Sequence, residues 1–166
     1  MTTKDNVLAA FAGESQANRK YLAFAKKAEE DGFPQVAKLF RAAAEAETVH
    51  AHAHLRAMDG VRSTTENLAE AIEGEHHEFV SMYPEFIAVA EQEGNKRAEI
   101  SFKNAMAVEK IHYGLYSNAL EAVSGKKDLP PAQIHICTVC GNTFVGSVPD
   151  RCPICNAPKE KFVEMK

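Results

Sequence analysis

Glu47-Thr48-Val49-His50 and Glu109-Lys110-Ile111-His112 are two copies of one pattern, a glutamate followed three residues later by a histidine. Positions i and i+3 share one face of an α-helix, so each pair can direct an oxygen and a nitrogen at the same point. Glu14 precedes the first pair by 33 residues, and Glu75 precedes the second by 34. The chain therefore predicts two similar helical hairpins that face each other as a four-helix bundle.

The first 124 residues contain apolar side chains at steps of three and four, which predicts four helices. Glycine and proline mark the ends, since glycine suits a helix C-terminus and proline suits a first helical turn. An internal proline, Pro84, predicts a kink in the third helix near the preceding residue. The predicted breaks are Asp31-Gly32-Phe33-Pro34, Asp59-Gly60, the N-cap candidates Ser63-Thr64-Thr65, and Gly94-Asn95.

Four glutamates lie on the apolar stripes of these helices, and two of them are followed by a histidine one turn later. A carboxylate in such a position is unfavourable unless it is paired or bound to a metal. A single helical glutamate is usually solvated, but six ligand-type residues with repeated spacing favour a metal site. Carboxylate oxygens with imidazole suit iron or manganese. The predicted ligands are Glu14, Glu47, His50, Glu75, Glu109 and His112.

Three further residues are candidates on spacing alone. Glu78 lies three residues after Glu75 and can face the same point, with a solvated surface glutamate as the alternative. Tyr21 and Tyr83 each lie about two helical turns beyond a candidate glutamate. Core packing is the ordinary role for these tyrosines, and a hydrogen bond to a ligand carboxylate is the functional one.

The last fifth of the chain contains two Cys-x-x-Cys pairs, which predict a tetrahedral thiolate site. Iron and zinc both accept four sulfur ligands, so the spacing leaves a redox iron site and a structural zinc ribbon open. Gly141 and Asn156 directly follow the second cysteine of each pair and tolerate left-handed turns, which can point N–H groups at sulfur. The predicted ligands are Cys137, Cys140, Cys152 and Cys155.

A linker separates the two ligand sets. Helix propensity collapses at Gly125 and Pro130-Pro131, which predicts a helical domain over 1–124, a linker over 125–133 and a small domain over 134–166. The small domain has too few residues to bury a sufficient hydrophobic core. A bound metal must therefore add stability on the order of 10 kcal/mol.

Composition excludes several classes. A formal charge of −4 and a pI near 6.0, without a basic stripe, argue against a nucleic-acid partner. No apolar run approaches the length of a membrane span, and the N-terminus lacks a signal-peptide hydrophobic region, so we expect a cytoplasmic protein. A nucleotide-binding glycine fingerprint is also absent from the sequence, which implies an external reductase.

The connector between the second and third helices predicts a dimer. In a ferritin-like bundle the second and third helices run parallel, so the connector must travel back along the bundle. With His50 and Glu75 at the same level, it must span about 28 Å along the axis. The six residue steps available reach only about 20 Å. Unless about one turn of helix unwinds, one chain cannot close its own bundle. The sequence therefore predicts an exchange, in which residues 1–59 of one chain pack on residues 65–123 of a partner.

Taken together, these motifs resemble the rubrerythrin family over essentially the whole chain. The segments Phe11–Ala17 and Gly74–Phe79 resemble its first and third ligand helices, and Met82–Phe86 continues the second match. The two cysteine pairs look like its shortened rubredoxin domain, with Asn156 where free-standing rubredoxins usually have glycine. The resemblance implies an all-α, ferritin-like four-helix bundle with a small C-terminal rubredoxin-like metal-bound β/loop domain.

The same resemblance implies a peroxidase that reduces hydrogen peroxide at a di-iron centre. One further iron in the tetrathiolate site would return electrons, supplied by an external rubredoxin or an NAD(P)H-dependent reductase. By motif, Glu14 and Glu75 look like terminal ligands and Glu47 and Glu109 like bridges. His112 looks like the fixed nitrogen ligand. His50 and Glu78 look like alternative ligands of one iron, His50 in its reduced state and Glu78 in its oxidised state.

Two other functions remain open from sequence. The bundle could oxidise ferrous iron for storage, as ferritins do, although storage needs no appended electron donor. A non-catalytic adaptor with a zinc ribbon is the other alternative, and the visible spectrum of a ferric tetrathiolate would exclude it.

Overall fold

The structure, a computed structural model, describes residues 2–166 and contains two helical hairpins followed by a small sheet. The first hairpin consists of helices α1 (Thr3–Glu30) and α2 (Pro34–Ala57). The second consists of α3 (Thr64–His77), a π-helical segment (Glu78–Met82) and α4 (Tyr83–Gln92), followed by α5 (Lys96–Ser124). The four predicted helical stretches are confirmed.

The helix ends follow the predicted chemistry. Gly32 has φ = 82° directly after α1, a conformation that glycine adopts without strain, and Pro34 occupies the first turn of α2. Ser63 caps α3 and forms a reciprocal capping box with Glu66. Asn95 caps α5 by accepting a hydrogen bond from the N–H of Ala98 at 3.1 Å.

The third helical stretch differs from the expected kink. Its interruption is a π-helical turn that begins before Pro84, and the N–H of Tyr83 donates to the carbonyl of Glu78. The wider turn accommodates one extra residue while the backbone stays helical. Tyr21 follows Glu14 by seven residues, whereas Tyr83 follows Glu75 by eight. The π turn therefore absorbs the one-residue difference between the two hairpins.

Each hairpin contains an equivalent aromatic cluster. In the first, Tyr21 lies 6.2 Å from Phe40, and Phe24 lies 5.6 Å from the same ring. In the second, Phe102 takes the place of Phe40, at 6.1 Å from Tyr83 and 5.6 Å from Phe86. The repeat inferred from the ligand motifs thus extends to the packing.

The C-terminal module is a three-stranded antiparallel sheet in the order β2-β1-β3. Its strands are β1 (Ile134–Cys137), β2 (Thr143–Val145) and β3 (Phe162–Glu164). The core is centred on buried Cys137, Cys152 and Ala157, with Phe144 and Phe162 packed at 4.8 Å beside it. A core built largely of cysteine agrees with the expectation that a metal must stabilise this module.

The chain forms two compact units, the residues up to Arg62 and Ser63–Lys166. The first is the α1–α2 hairpin, in which buried alanines allow close helix packing; these are Ala25, Ala28, Ala37, Ala44 and Ala51. The second contains the other hairpin together with the C-terminal module. Over residues 2–166, no helix combines the length and the hydrophobicity that a membrane span requires.

Candidate metal centres

The first hairpin brings Glu14, Glu47 and His50 together, with one ligand atom of each within 4.8 Å of the others. Nδ1 of His50 lies 2.9 Å from Oε2 of Glu47. Hydrogen bonds with His50 and then with Glu14 lower the pKa of Glu47, which keeps that carboxyl ionised at neutral pH. The His50 side chain is 56% exposed, so its ring has room to move.

Asn18 fixes α1 against α2 beside this cluster. Its Nδ2 donates hydrogen bonds to the carbonyl of Ala44 at 2.7 Å and to Oγ1 of Thr48 at 2.8 Å. Asn18 lies one turn after Glu14, and Thr48 directly follows Glu47, so these hydrogen bonds hold α1 and α2 together at the level of the candidate ligands. We did not predict this role, although a polar residue on the apolar stripe was a signal for it.

The second hairpin brings together the equivalent residues Glu75, Glu109 and His112, again within 4.8 Å. Nδ1 of His112 lies 2.9 Å from Oε2 of Glu109 and 3.6 Å from Oε1 of Glu75. Burial, reinforced by the negative charge of Glu109, raises the pKa of Glu75 to about 7. A carboxyl whose proton affinity is raised by burial and by a neighbouring negative charge lies where a bound cation is favourable.

Glu78 and Tyr83 lie close to the second cluster but outside the three-residue group. Burial and the charge of Glu109 raise the pKa of Glu78, the first residue of the π turn. Burial and the neighbouring carboxylates also raise the pKa of Tyr83, so its hydroxyl keeps its proton at neutral pH. Tyr21 contacts the rings of its aromatic cluster.

The four cysteines form no disulfide, and their sulfur atoms all lie within 4.8 Å of one another. Sγ of Cys137 lies 3.6 Å from that of Cys155, and Sγ of Cys140 lies 3.6 Å from that of Cys152. A disulfide would require about 2.05 Å. Four sulfurs bound tetrahedrally at about 2.3 Å lie about 3.8 Å apart, so the observed spacing fits a metal site.

Two tight turns shape this site. Gly141 (φ = 85°) and Asn156 (φ = 60°) adopt the predicted left-handed conformation. Burial alone would raise the pKa of Cys152, but the backbone N–H groups of Cys155 and Ile154 bring it down to about 7. These N–H groups stabilise the thiolate, which is the form that binds metal.

The sequence analysis missed Asn142, a nearly fully buried polar side chain. Its Nδ2 donates to Sγ of Cys152 at 3.8 Å, while its Oδ1 is buried without a hydrogen-bond partner among residues 2–166. Hydrogen bonds to sulfur tune the reduction potential of iron–sulfur sites. The position directly after Gly141, inside the turn, was the available signal.

Thr143 was also missed, and it connects the two ligand sets. Its Oγ1 lies 2.9 Å from Nε2 of His112, on the opposite side of the ring from the carboxylates. It also lies 3.4 Å from the carbonyl of Gly141, the residue after Cys140. No spacing rule could have predicted this contact, because 31 residues separate the partners.

The donor chemistry of both sites fits iron. Carboxylate oxygens with one imidazole per hairpin suit a hard, redox-active ion, and four thiolates at tetrahedral spacing suit iron or zinc. Counted together, the two clusters contain four glutamates and two histidines, which are the ligand types of di-iron bundle proteins. The Glu–His clusters could therefore hold two iron ions, and the four cysteines form the metal site of the C-terminal module.

Comparison with known proteins identifies the family. The rubrerythrin family model matches residues 5–120, and the model described as "Rubrerythrin, rubredoxin-like domain" matches residues 135–163. Rubrerythrin-2 of Clostridium acetobutylicum is 34% identical over 96% of this chain and 95% of its own length. Nigerythrin of Nitratidesulfovibrio vulgaris is 36% identical over 97% of this chain and 85% of its own.

Solved structures agree with the sequence comparison. A structure of nigerythrin in a fully reduced, all-ferrous state aligns with a TM-score of 0.59 at 34% identity, covering 99% of this chain and 87% of that one. A mixed-valence nigerythrin structure gives a TM-score of 0.58 with the same coverage. These matches confirm the predicted fold class, and the chain belongs to the rubrerythrin family of di-iron proteins with a rubredoxin-like domain.

Proposed function

We propose that this protein is a peroxidase that reduces hydrogen peroxide to water at a non-haem di-iron centre in the cytoplasm. The ligands of that centre are the seven residues Glu14, Glu47, His50, Glu75, Glu78, Glu109 and His112. Cys137, Cys140, Cys152 and Cys155 would hold one further iron, which would supply electrons one at a time. An external rubredoxin or an NAD(P)H-dependent reductase supplies these electrons.

The observation that carries the proposal is the connection between the ligand sets. One ring nitrogen of His112 faces the carboxylates, and the other contacts Thr143 of the cysteine module. Iron storage needs no second redox site, so this connection favours turnover over storage. A diferrous pair, when bound, supplies the two electrons that convert one peroxide and two protons into two waters.

The chain's own groups hold the ions and control access. The lowered pKa of Glu47 keeps its carboxylate ionised and able to bind a cation. His112, half-buried and contacted on both ring nitrogens, is suited to be the fixed nitrogen ligand, whereas exposed His50 is suited to leave and return. Glu78 lies beside the cluster as the carboxylate that joins in the oxidised state, and the Tyr83 hydroxyl can donate a hydrogen bond there.

The proposal extends to domain organisation and assembly. We assign residues 1–124 to the di-iron domain, 125–133 to a linker and 134–166 to the rubredoxin-like domain. The active form is a homodimer in which the hairpins are exchanged, so that each site takes Glu14, Glu47 and His50 from one chain and the remaining four ligands from the other. Large apolar side chains exposed on both hairpins, among them Leu22, Leu39, Phe86 and Val89, support further helix packing.

Replacing Cys152 by serine tests the electron relay. Because the two ligand sets lie on either side of the Pro130-Pro131 segment, the carboxylate site should still form. The pre-reduced variant should therefore consume peroxide once, while steady-state turnover with a reductase falls by at least about tenfold. The measurements are peroxide consumption, with and without the reductase, and helical circular dichroism as a check on folding.

The exposed Ser147 of the same module provides a control, and Ser147→Ala should turn over like the unaltered protein. Undiminished turnover in Cys152→Ser would overturn the relay. Loading of many iron ions without peroxide consumption would instead support the iron-storage alternative. A colourless module that binds zinc would identify it as a structural ribbon.

A further inference from the structure

His112 is contacted from both sides of its ring. Nδ1 faces Glu109 at 2.9 Å and Glu75 at 3.6 Å, so this is the nitrogen available to a metal. Nε2 lies 2.9 Å from Oγ1 of Thr143, which begins strand β2. The module that holds the cysteines therefore contacts a ligand of the other site directly.

Metal binding fixes the direction of these hydrogen bonds. Nδ1 must be unprotonated to bind a metal, so the single ring proton lies on Nε2 and is donated to Oγ1 of Thr143. The hydroxyl proton of Thr143 is then free to be donated to the carbonyl of Gly141, 3.4 Å away. Gly141 is bonded to Cys140, so the contacts run from one ligand set to the other.

We propose that Thr143 is a positioning residue that locks the ring and tautomer of His112 and joins the two metal sites through its hydroxyl. This inference rests on the proposed function for its consequence in electron transfer. Each transfer moves one electron from the thiolate site to the carboxylate site and makes or breaks no covalent bond. The positioning of His112, by contrast, is a property of the chain in any metal-loaded form.

The surroundings strengthen the assignment. Thr143 is paired with Ile136 of β1, so its backbone position is set by the sheet. His112 and Thr143 both line a cavity of about 530 Å³ whose other walls are mostly apolar, including Leu68, Leu115 and Val145. In such surroundings a hydrogen bond is stronger than in water, and a ring nitrogen has few alternative partners.

The test compares Thr143→Val, which keeps the shape and β-branching but removes the hydroxyl, with Thr143→Ser, which keeps the hydroxyl. Loss of a residue that orients a ligand histidine typically costs 10- to 100-fold in metal affinity. We expect Thr143→Val to bind ferrous iron at the carboxylate site about tenfold more weakly, and Thr143→Ser to stay close to the unaltered protein. Competition with a coloured chelator measures this affinity without any turnover.

A second readout follows the electron. After the fully reduced protein is mixed with peroxide, the visible colour of the ferric tetrathiolate returns as the thiolate site gives up its electron. With the carboxylate site saturated with iron, this return should slow about tenfold in Thr143→Val and recover in Thr143→Ser. The intensity of the colour itself should be unchanged, which shows that the cysteine module is intact.

The outcomes separate the two hypotheses. Thr143→Val with unaltered affinity and an unaltered rate would overturn the inference. So would equal losses in both variants, because the hydroxyl would then not be responsible. If the unaltered protein fails to consume peroxide, the proposed function fails, while the affinity comparison still decides the role of Thr143.

Discussion

At the residue scale, Glu75 shows how burial and a neighbouring carboxylate make ionisation unfavourable in the candidate site. Its carboxyl has an ordinary pKa of 4.5, and burial beside Glu109 raises this to about 7. The folded chain therefore binds this proton more tightly than the unfolded chain does. The resulting stabilisation is present below the ordinary pKa and is lost as the pH rises to about 7.

This shift predicts a pH-dependent stability for the metal-free protein. The urea midpoint should fall as the pH rises from 5 to 8, since the buried carboxyl must ionise. Glu75→Gln, which is neutral at every pH, should show a shallower fall. Glu73→Gln, at an exposed position on the same helix, is the matched control and should keep the original slope. Identical slopes in Glu75→Gln and the unaltered protein would contradict the prediction.

At the scale of the secondary-structure element, the π-helical segment Glu78–Met82 distinguishes the second hairpin from the first. One residue more separates Glu75 from Tyr83 than separates Glu14 from Tyr21, and the π turn accommodates it while both aromatic clusters keep nearly equal ring distances. Glu78 is the first residue of this turn. The second hairpin thus has one residue more than the first in this stretch, and the π turn that contains it begins at the additional carboxylate, Glu78. Such turns occur often at functional sites.

Glu78→Ala tests whether this extra carboxylate acts in one oxidation state only. The reduced variant should retain two iron ions, because six other candidate ligands remain. Its reaction with peroxide should slow by at least about tenfold, since the oxidised centre loses an anionic ligand. Metal counting on the reduced protein and stopped-flow mixing with peroxide are the measurements.

An exposed glutamate of the same stretch supplies the control, and Glu73→Ala should react like the unaltered protein. Loss of one iron from reduced Glu78→Ala would show that Glu78 is a permanent ligand. Unchanged kinetics would show that it takes no part.

At the scale of the whole molecule, the proposed exchanged dimer depends on the length of the connector after α2. Helix α2 ends at Ala57 and α3 begins at Thr64. Residues 58–60 fold back on α2, with the N–H of Gly60 donating to the carbonyl of Leu55 at 2.9 Å. The seven residue steps between these helix ends would reach about 24 Å if fully extended. The rise from His50 to the end of α2 and the rise from the start of α3 to Glu75 add up to about 27 Å along the helix axes. With the observed helix ends, the connector falls short by less than the sequence estimate suggested. The turn at residues 58–60 is folded, however, so the connector spans less than its extended length.

Mixing two inactive variants tests the exchange. Glu47→Ala and Glu109→Ala each remove a proposed bridging ligand, one from each hairpin. In an exchanged heterodimer one site receives both lesions and the other receives neither, so a refolded mixture should regain activity. Each variant refolded alone should stay inactive. If heterodimers verified by mass spectrometry show no activity, the exchange is wrong.

The sequence by itself determined the helical hairpins, their ends and the identity of the ligand candidates. Helix periodicity, caps and ligand spacing are local properties, so residues such as Pro34, Ser63 and Gly141 specify their own surroundings. The i, i+3 spacing placed Glu109 and His112 on one face before any fold was known. The same locality let the cysteine pairs predict a metal site at the observed sulfur spacing.

Only the tertiary structure decided which distant groups meet. Thr143 reaches His112, Asn142 reaches Cys152, and Asn18 bridges to α2, because packing of separate elements brings these side chains together. The π turn likewise appears only when both hairpins can be compared in three dimensions. Hydrogen bonds between elements depend on the orientation of packed surfaces, which no local spacing encodes. For that reason the sequence pattern identifies the candidate ligands, whereas only the fold shows which side chains contact them.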